Sequence, residues 1–280
     1  MQKQVLAIHD LSCVGRCSLT VALPVLSACG LHTSALPTAL LSTHTGEFTG
    51  YTCLDLTQEM KKIAAHFAAL PLRFDGLYTG FLGSFEQIRL VGDVLEKYHQ
   101  QNTLTLVDPV MADHGRLYAT YTQAMAEGMG ELCRLADVIV PNLTEACILL
   151  HRPYDPAPGW DAVRDMMEEL CQRFGCKQVI ITGVEQHGLL GASGFCAATG
   201  ETAFAGGEKL PGIFYGTGDV LASGLMGGLM RGLTLEKALH AAVRFTHAAM
   251  EHTLANGLPL RYGVAFEQAL PLLMREIGIS

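Results

Sequence analysis

No uncharged apolar run in the sequence reaches the roughly 20 residues a spanning helix requires, which argues against a membrane segment. The start, Met1-Gln2-Lys3-Gln4, leads into a mostly apolar stretch too short for a secretory signal core. Basic residues are few: 19 Lys and Arg stand against 27 Asp and Glu, a formal charge of −8. That balance argues against nucleic acid, whose binding rests on Lys and Arg neutralising phosphates. It leaves room for a nucleotide, which needs only a local cradle. Among the nine cysteines there is no CxxC pair and no His/Cys spacing of the zinc-finger kind. Cys13 and Cys17 have a helix-like spacing, and roughly so do Cys171 and Cys176. The thiols read as reduced side chains filling core and near-core positions of a cytoplasmic protein.

Three nucleotide-binding signatures are also missing. There is no GxxxxGK[ST] phosphate loop and no GxGxxG after the first strand. The HRD and DFG pair of protein kinases is absent as well. No break in composition, internal repeat or low-complexity tract divides the chain, so residues 1–280 are expected to form one domain. Hydrophobic residues make up 49% of it, enough for a sizeable core, and charged residues 16%.

Strand-like and helix-like stretches alternate along the chain. Val5 to Ile8 reads as a buried strand that breaks at His9-Asp10. Ser18 is placed to cap a helix running to Cys29. Further strands are expected near Thr33 to Thr38, Gly76 to Gly80, Thr103 to Val107, Asp137 to Val140 and Gln178 to Gly183. Helices fall between them, over Asp55 to Ala69, Ser84 to Gln101, Tyr121 to Leu135, Asn142 to Leu150 and Trp160 to Phe174. Leu189 to Ala205 alternates weakly and suggests antiparallel edge strands. Helices close the chain: Asp219 to Arg231, Leu235 to Ala255 and Val264 to Ile277. This alternation predicts an α/β domain with a mostly parallel sheet covered by helices on both faces. Ligands of such sheets sit beyond the carboxyl ends of the strands. The polar strand stops His9-Asp10, His44, Gly80, Asp108, Asn142 and Thr182 belong to that edge.

The chemistry is expected at Gly216-Thr217-Gly218-Asp219, before an apolar helix rich in small residues. Free N–H groups and the helix dipole make such a terminus a cradle for phosphate. Asp219 is the odd member, since a carboxylate repels an anion. It reads either as an N-cap or as a base that takes a proton from an attacking hydroxyl. Asp108 either closes a strand-end turn or, with Asp113, opens a loop that covers phosphates and holds a metal. Asn142 and Glu145 have capping-box spacing, and Glu145 could also organise Mg²⁺. Glu145→Gln should then spare stability. His44 and Thr45 lie in the hydroxyl-rich loop Ser42 to Tyr51, which offers hydrogen bonds to a small aromatic or polar ligand. His9 stands beside Asp10, whose carboxylate would favour the charged imidazole.

These stretches, in this order, resemble the ribokinase superfamily and within it the pyridoxal kinases. Ser42-Thr43-His44-Thr45-Gly46 looks like their substrate loop, Asp108-Pro109-Val110-Met111 like their DPV segment, and Asn142-Leu143-Thr144-Glu145 like their NxxE motif. Gly216-Thr217-Gly218-Asp219 looks like their anion hole. The resemblance implies a ribokinase-like fold, a homodimer, and ATP-dependent phosphorylation of a hydroxymethyl group with Mg²⁺ and often a monovalent cation. It implies that Asp219 is the base and that Gly216, Thr217 and Gly218 hold the transferred phosphoryl group. Asp113 and Glu145 would serve the metal. Asp108, Asn142, Thr182 and Thr217 would serve the nucleotide. Asp10 and Thr45 would meet the pyridine ring, with His44 nearby. Two positions depart from the pattern: Asp10 replaces the usual Ser, and Val140 replaces a Thr that helps hold the monovalent ion. The related hydroxymethylpyrimidine kinases usually end the anion motif in Cys, so Asp219 favours a B6 vitamer as substrate. The alternatives are a hydroxymethylpyrimidine or sugar kinase of the same fold and a non-catalytic nucleotide or small-ligand binder.

Overall fold

A computed structural model describes residues 2–279. Its centre is a nine-stranded sheet. β1 (Gln4–Val14) pairs in parallel with β2 (His32–Thr43) on one side and with β4 (Gly76–Thr79) on the other. Beyond β2 lies the short antiparallel β3 (Cys53–Asp55). Beyond β4 the parallel order continues through β5 (Leu104–Val107), β8 (Val138–Ile139) and β9 (Gln178–Gln186). β10 (Leu189–Cys196) and β11 (Glu201–Gly207) then close that edge antiparallel, as their weak alternation suggested. A separate hairpin of β6 (Ala112–Asp113) and β7 (Arg116–Leu117) stands after β5.

Alternate residues of β1 feed two cores. Leu6 and Ile8 pack on the face covered by α2 (Thr57–Ala69), α3 (Phe85–Tyr98), α4 (Gln123–Cys133), α5 (Leu143–Leu150) and α6 (Trp160–Phe174). Val5 and Ala7 pack on the opposite face, under α1 (Leu19–Ala28), α7 (Thr217–Met230), α8 (Leu235–Ala255) and α9 (Leu270–Glu276). Strands covered on both sides must be apolar at consecutive positions, which is why Val5 to Ile8 shows no alternation. Each such side chain removed from water contributes about 1.5–3 kcal/mol. α6 shows the helical version of the pattern: Val163, Met166, Met167, Leu170 and Phe174 are buried three or four apart, and Gly175 ends it in the left-handed region.

Several expected boundaries move. β1 runs through His9 and Asp10 to Val14, with a register shift between His9 and Leu11, because β2 continues beside it. Cys13 and Cys17 therefore do not share a helix. Cys13 and Cys53 are exposed rather than near the core. Cys171 and Cys176 are buried with their sulfurs 3.9 Å apart. The segment expected as one helix from Val264 is a short 3₁₀ turn over Phe266–Ala269 followed by α9. Pro271 lacks an N–H and can only sit in the first turn, so it sets where α9 begins.

Candidate active site

The sheet changes winding direction at β1: β2 lies on one side and β4 on the other. Such a switch point leaves a crevice beyond the carboxyl ends. The expected polar stops gather there. Asp10 and His44 interact electrostatically, as do Asp10 and Asp219, Asp219 and Asp108, and Asp108 and Glu145. A groove lined by Lys3, Asp75, Asp137 and Lys177 opens instead at the amino ends of the strands, away from these groups.

Gly216 forms the entry to α7. It has φ 73°, and a Cβ there would collide with the Arg16 carbonyl, so the chain needs glycine twice over. Thr217, Gly218 and Asp219 are the first three helical residues, which overturns the reading of Asp219 as the N-cap. Their N–H groups precede the first intrahelical bond, from Val220 N–H to the Gly216 carbonyl at 3.1 Å. Gly218 is exposed, and the place its Cβ would take is empty. The terminus is thus an open ring of donors with a carboxylate at its base.

That carboxylate is half-buried. Its Oδ2 accepts a hydrogen bond from the Ser18 N–H at 2.9 Å. Burial pushes the Asp219 pKa up to about 7, the Ser18 bond opposes the rise, and the charge of Asp10 adds to it. Ser18 does not cap α1 with its side chain. Its hydroxyl donates instead to Asp10 Oδ1 at 2.6 Å, and the Ser12 hydroxyl donates to Asp10 Oδ2 at 3.3 Å. Asp10, 5% exposed, therefore has both oxygens engaged. Its pKa is raised by burial against the pull of those two serines.

Glu145 and Asn142 form the expected capping box. Asn142 Oδ1 accepts from the Glu145 N–H at 2.9 Å, and Glu145 Oε2 accepts from the Asn142 N–H at 2.8 Å. Glu145 Oε1 also accepts from Met111 N–H (2.9 Å) and Ala112 N–H (3.3 Å), tying α5 to the hairpin. Burial nevertheless raises its pKa to about 8. Asp108 is buried beside it. No hydrogen-bond donor among the described residues meets its carboxylate; burial, then the charges of Glu145 and Asp219, hold its pKa well above the usual range. Asp113 is exposed on the hairpin, its Oδ1 accepting from the His114 N–H at 2.8 Å. Asn142 and Thr182 form an isolated parallel bridge that lays the residues just past β8 against the middle of β9, which runs through the expected stop at Thr182 to Gln186.

Among the described residues no three His, Cys, Asp or Glu side chains could hold a metal. Mg²⁺ does not need such a cage, because it keeps water and takes substrate phosphate oxygens beside one or two carboxylates. Two buried carboxylates that burial and mutual repulsion hold against ionisation are a donor set that suits it. Glu145 feels the charge of the exposed Asp113 as well, and Asp108 feels that of Glu145. Val140 is buried in the core and offers a monovalent cation no side-chain oxygen.

Both nitrogens of His44 are engaged by backbone. Nδ1 accepts from the Gly46 N–H at 3.1 Å, so Nε2 carries the proton and donates to the Arg261 carbonyl at 2.5 Å. Its ring faces Phe48 and Tyr215, and Thr45 is exposed beside it. His9 is fully buried against Tyr78 with neither nitrogen partnered. Burial lowers its pKa to about 3, so the charged form favoured by Asp10 does not arise. Two groups went unread in the sequence. Ser12 reads as an ordinary loop serine and Ser18 only as a helix cap until the fold sets Asp10 between them. Tyr118 lies among Glu145, Asp113, Asp108 and Asp219, and only the hairpin puts it there.

A family model described as phosphomethylpyrimidine kinase matches residues 21–261. The chain belongs to the pyridoxal/phosphomethylpyrimidine kinase family. A pyridoxine/pyridoxal/pyridoxamine kinase of Bordetella avium is 30% identical over 268 residues, covering 89% of this chain and 85% of that one. The pyridoxal kinase of Lactobacillus plantarum has a crystal structure that superposes with a TM-score of 0.91 at 33% identity, covering 100% of both chains. A Bacteroides thetaiotaomicron protein described as a candidate phosphomethylpyrimidine kinase, in a crystal form with pyridoxal, gives 0.93 at 37% identity, covering 98% and 96%. The kinase fold and the ribokinase-like architecture thus agree with the motifs. In this family member the open α7 terminus, the half-buried Asp219 and the paired carboxylates stand on one strand edge.

Proposed function

We propose that the chain transfers the γ-phosphoryl group of ATP to the hydroxymethyl oxygen of a B6 vitamer. The observation that carries this reading is Asp219, poised near neutral pH in the first turn of α7 directly beside the open Gly218. A general base works best with a pKa near the operating pH. The substrate oxygen attacks phosphorus, its proton passes to Asp219, and the bond to the leaving ADP oxygen breaks. The free N–H groups of Thr217 and Gly218 stabilise charge on the transferred group. Asp108 and Glu145 would hold Mg²⁺, which supplies positive charge at the phosphates. Asn142 and Thr182 border the nucleotide side, and Thr45 the vitamer. The relatives named for B6 vitamers, and the one crystallised with pyridoxal, support the substrate class. In this reading the enzyme is a cytoplasmic homodimer; Leu40 and Leu54, exposed and paired across the β2–β3 edge, give it an apolar face suited to a second copy. Incubation with ATP, Mg²⁺ and each vitamer should release ADP and give a product heavier by one phosphoryl group. Absence of both with every vitamer would refute the activity.

The carboxylate pair yields a separate expectation. Three backbone N–H groups point at Glu145, so a Gln amide must set its own donor against one of them. Glu145→Gln should cost about 1–3 kcal/mol of stability, contrary to the reading of the motif alone. Asp108→Asn breaks no hydrogen bond and removes a carboxyl group whose ionisation burial and the neighbouring charges oppose, so its melting temperature should hold or rise while its Mg²⁺ requirement increases. For Glu145 the folded pKa lies above the ordinary 4.5. Its stabilising contribution is therefore full below pH ~4.5 and lost as pH rises through ~8. Mg²⁺ should accordingly raise the melting temperature more above pH ~8 than below pH ~5. Thermal melts across pH and Mg²⁺ concentration read all three effects; an Asp108→Asn protein with normal Mg²⁺ dependence would remove Asp108 from the metal.

A further inference from the structure

Ser18 has φ 50° and ψ −129°, backbone angles that side-chain-bearing residues rarely adopt. Such a residue costs on the order of 1–3 kcal/mol and persists only where its surroundings fix it. Three sets of contacts do so. Its carbonyl accepts from the Val21 and Ala22 N–H groups at 3.0 and 2.9 Å, opening α1. Its hydroxyl is anchored on Asp10 Oδ1, which Ser12 holds from the other side. Its N–H is spent on Asp219 Oδ2. One strained residue thus joins two carboxylates, 8 and 201 positions away in the chain.

We propose that Asp10 is a positioning residue for Asp219: it anchors the Ser18 hydroxyl and so holds the turn whose N–H fixes the Asp219 carboxylate beneath the α7 terminus. This rests on the reading of Asp219 as the base. It gives Asp10 a role that needs no contact with the pyridine ring, since both its oxygens are turned onto Ser18 and Ser12. What the turn needs from position 10 is an acceptor, not a charge. Asn supplies one and Ala does not. Glycine at position 18 would take the same backbone angles without strain and without an anchor.

The test compares kcat and vitamer KM for wild type, Asp10→Asn, Asp10→Ala and the double variant Asp10→Ala/Ser18→Gly. Asp10→Asn should keep kcat within about threefold, the scale of one modest hydrogen-bond change. Asp10→Ala should lower kcat about 10²-fold, the scale of a misplaced catalytic group, with vitamer KM little changed. Adding Ser18→Gly should restore at least about tenfold of that loss. A raised KM with kcat intact in Asp10→Ala would overturn the proposal in favour of substrate contact. Equal losses in Asn and Ala, or no recovery with Ser18→Gly, would overturn it in favour of a charge effect. If Asp10→Ala does not fold, Ser18→Ala takes its place: it removes the anchor but keeps the strain, and normal kcat there would likewise overturn the proposal. Failure of the underlying reading shows separately, as an active Asp219→Asn enzyme.

Discussion

Asp219→Asn should lose about 10²- to 10⁴-fold in kcat, the usual contribution of a positioned base, while ATP still binds and the fold melts normally. The carboxamide keeps an oxygen for the Ser18 N–H, so the local structure has no reason to collapse. Only proton acceptance is lost. A matching pH dependence is expected in the wild type. The base acts when ionised, and burial places its pKa in the free enzyme at about 7, so kcat/KM should rise with pH through that value and then level. In Asp219→Asn the residual rate should lack this rise. A variant with near-normal turnover, or one with the same acid limb, would show that Asp219 only shapes the helix start.

The second large effect is expected at Gly218. Its φ lies outside the left-handed region and no atom lies within 4 Å of the place a Cβ would take, so the fold makes no demand for glycine there. Gly218→Ala should stabilise the protein by about 0.4–1 kcal/mol, chiefly by restricting the unfolded chain. The methyl group would nonetheless intrude on the open ring of N–H donors. kcat/KM for ATP should fall about 10²-fold, the scale of displacing a reacting group by an ångström. Loss of activity with gain of stability separates a phosphate cradle from an ordinary first turn. Gly216→Ala cannot make that distinction, because the Arg16 carbonyl blocks the side chain and folding would suffer too.

Much of the frame was legible along the chain. α6 and α8 begin and end where apolar spacing placed them, and the buried strands announce themselves as consecutive apolar residues. The capping box was readable because its two members lie three residues apart and bond each other. Local signals failed where a distant partner decides. Asp10 looks like a strand stop, yet β2 extends the ladder past it and two serines satisfy its carboxylate. Ser18 looks like a cap, yet Asp10 takes its hydroxyl and Asp219 its N–H. His9 looks chargeable beside Asp10, but full burial outweighs a neighbouring carboxylate. Asp113, which the resemblance assigns to the metal, sits exposed on a hairpin whose presence no local signal announces, and Asp108 is buried near Glu145. Pro271 was a local signal that a helical reading of Val264 to Ile277 passed over.

Substrate choice is the point on which the whole account turns. Pyridoxal and hydroxymethylpyrimidine both carry a hydroxymethyl group on an aromatic ring, and they differ in ring nitrogens and in the hydroxyl and aldehyde beside that group. A site that hydrogen-bonds such groups rejects an analogue lacking them more strongly than an apolar pocket can. The decisive measurement is kcat/KM for pyridoxal and for hydroxymethylpyrimidine, determined side by side with saturating ATP and Mg²⁺. Pyridoxal should be favoured by at least about tenfold; equal or better use of hydroxymethylpyrimidine would contradict a B6-vitamer kinase.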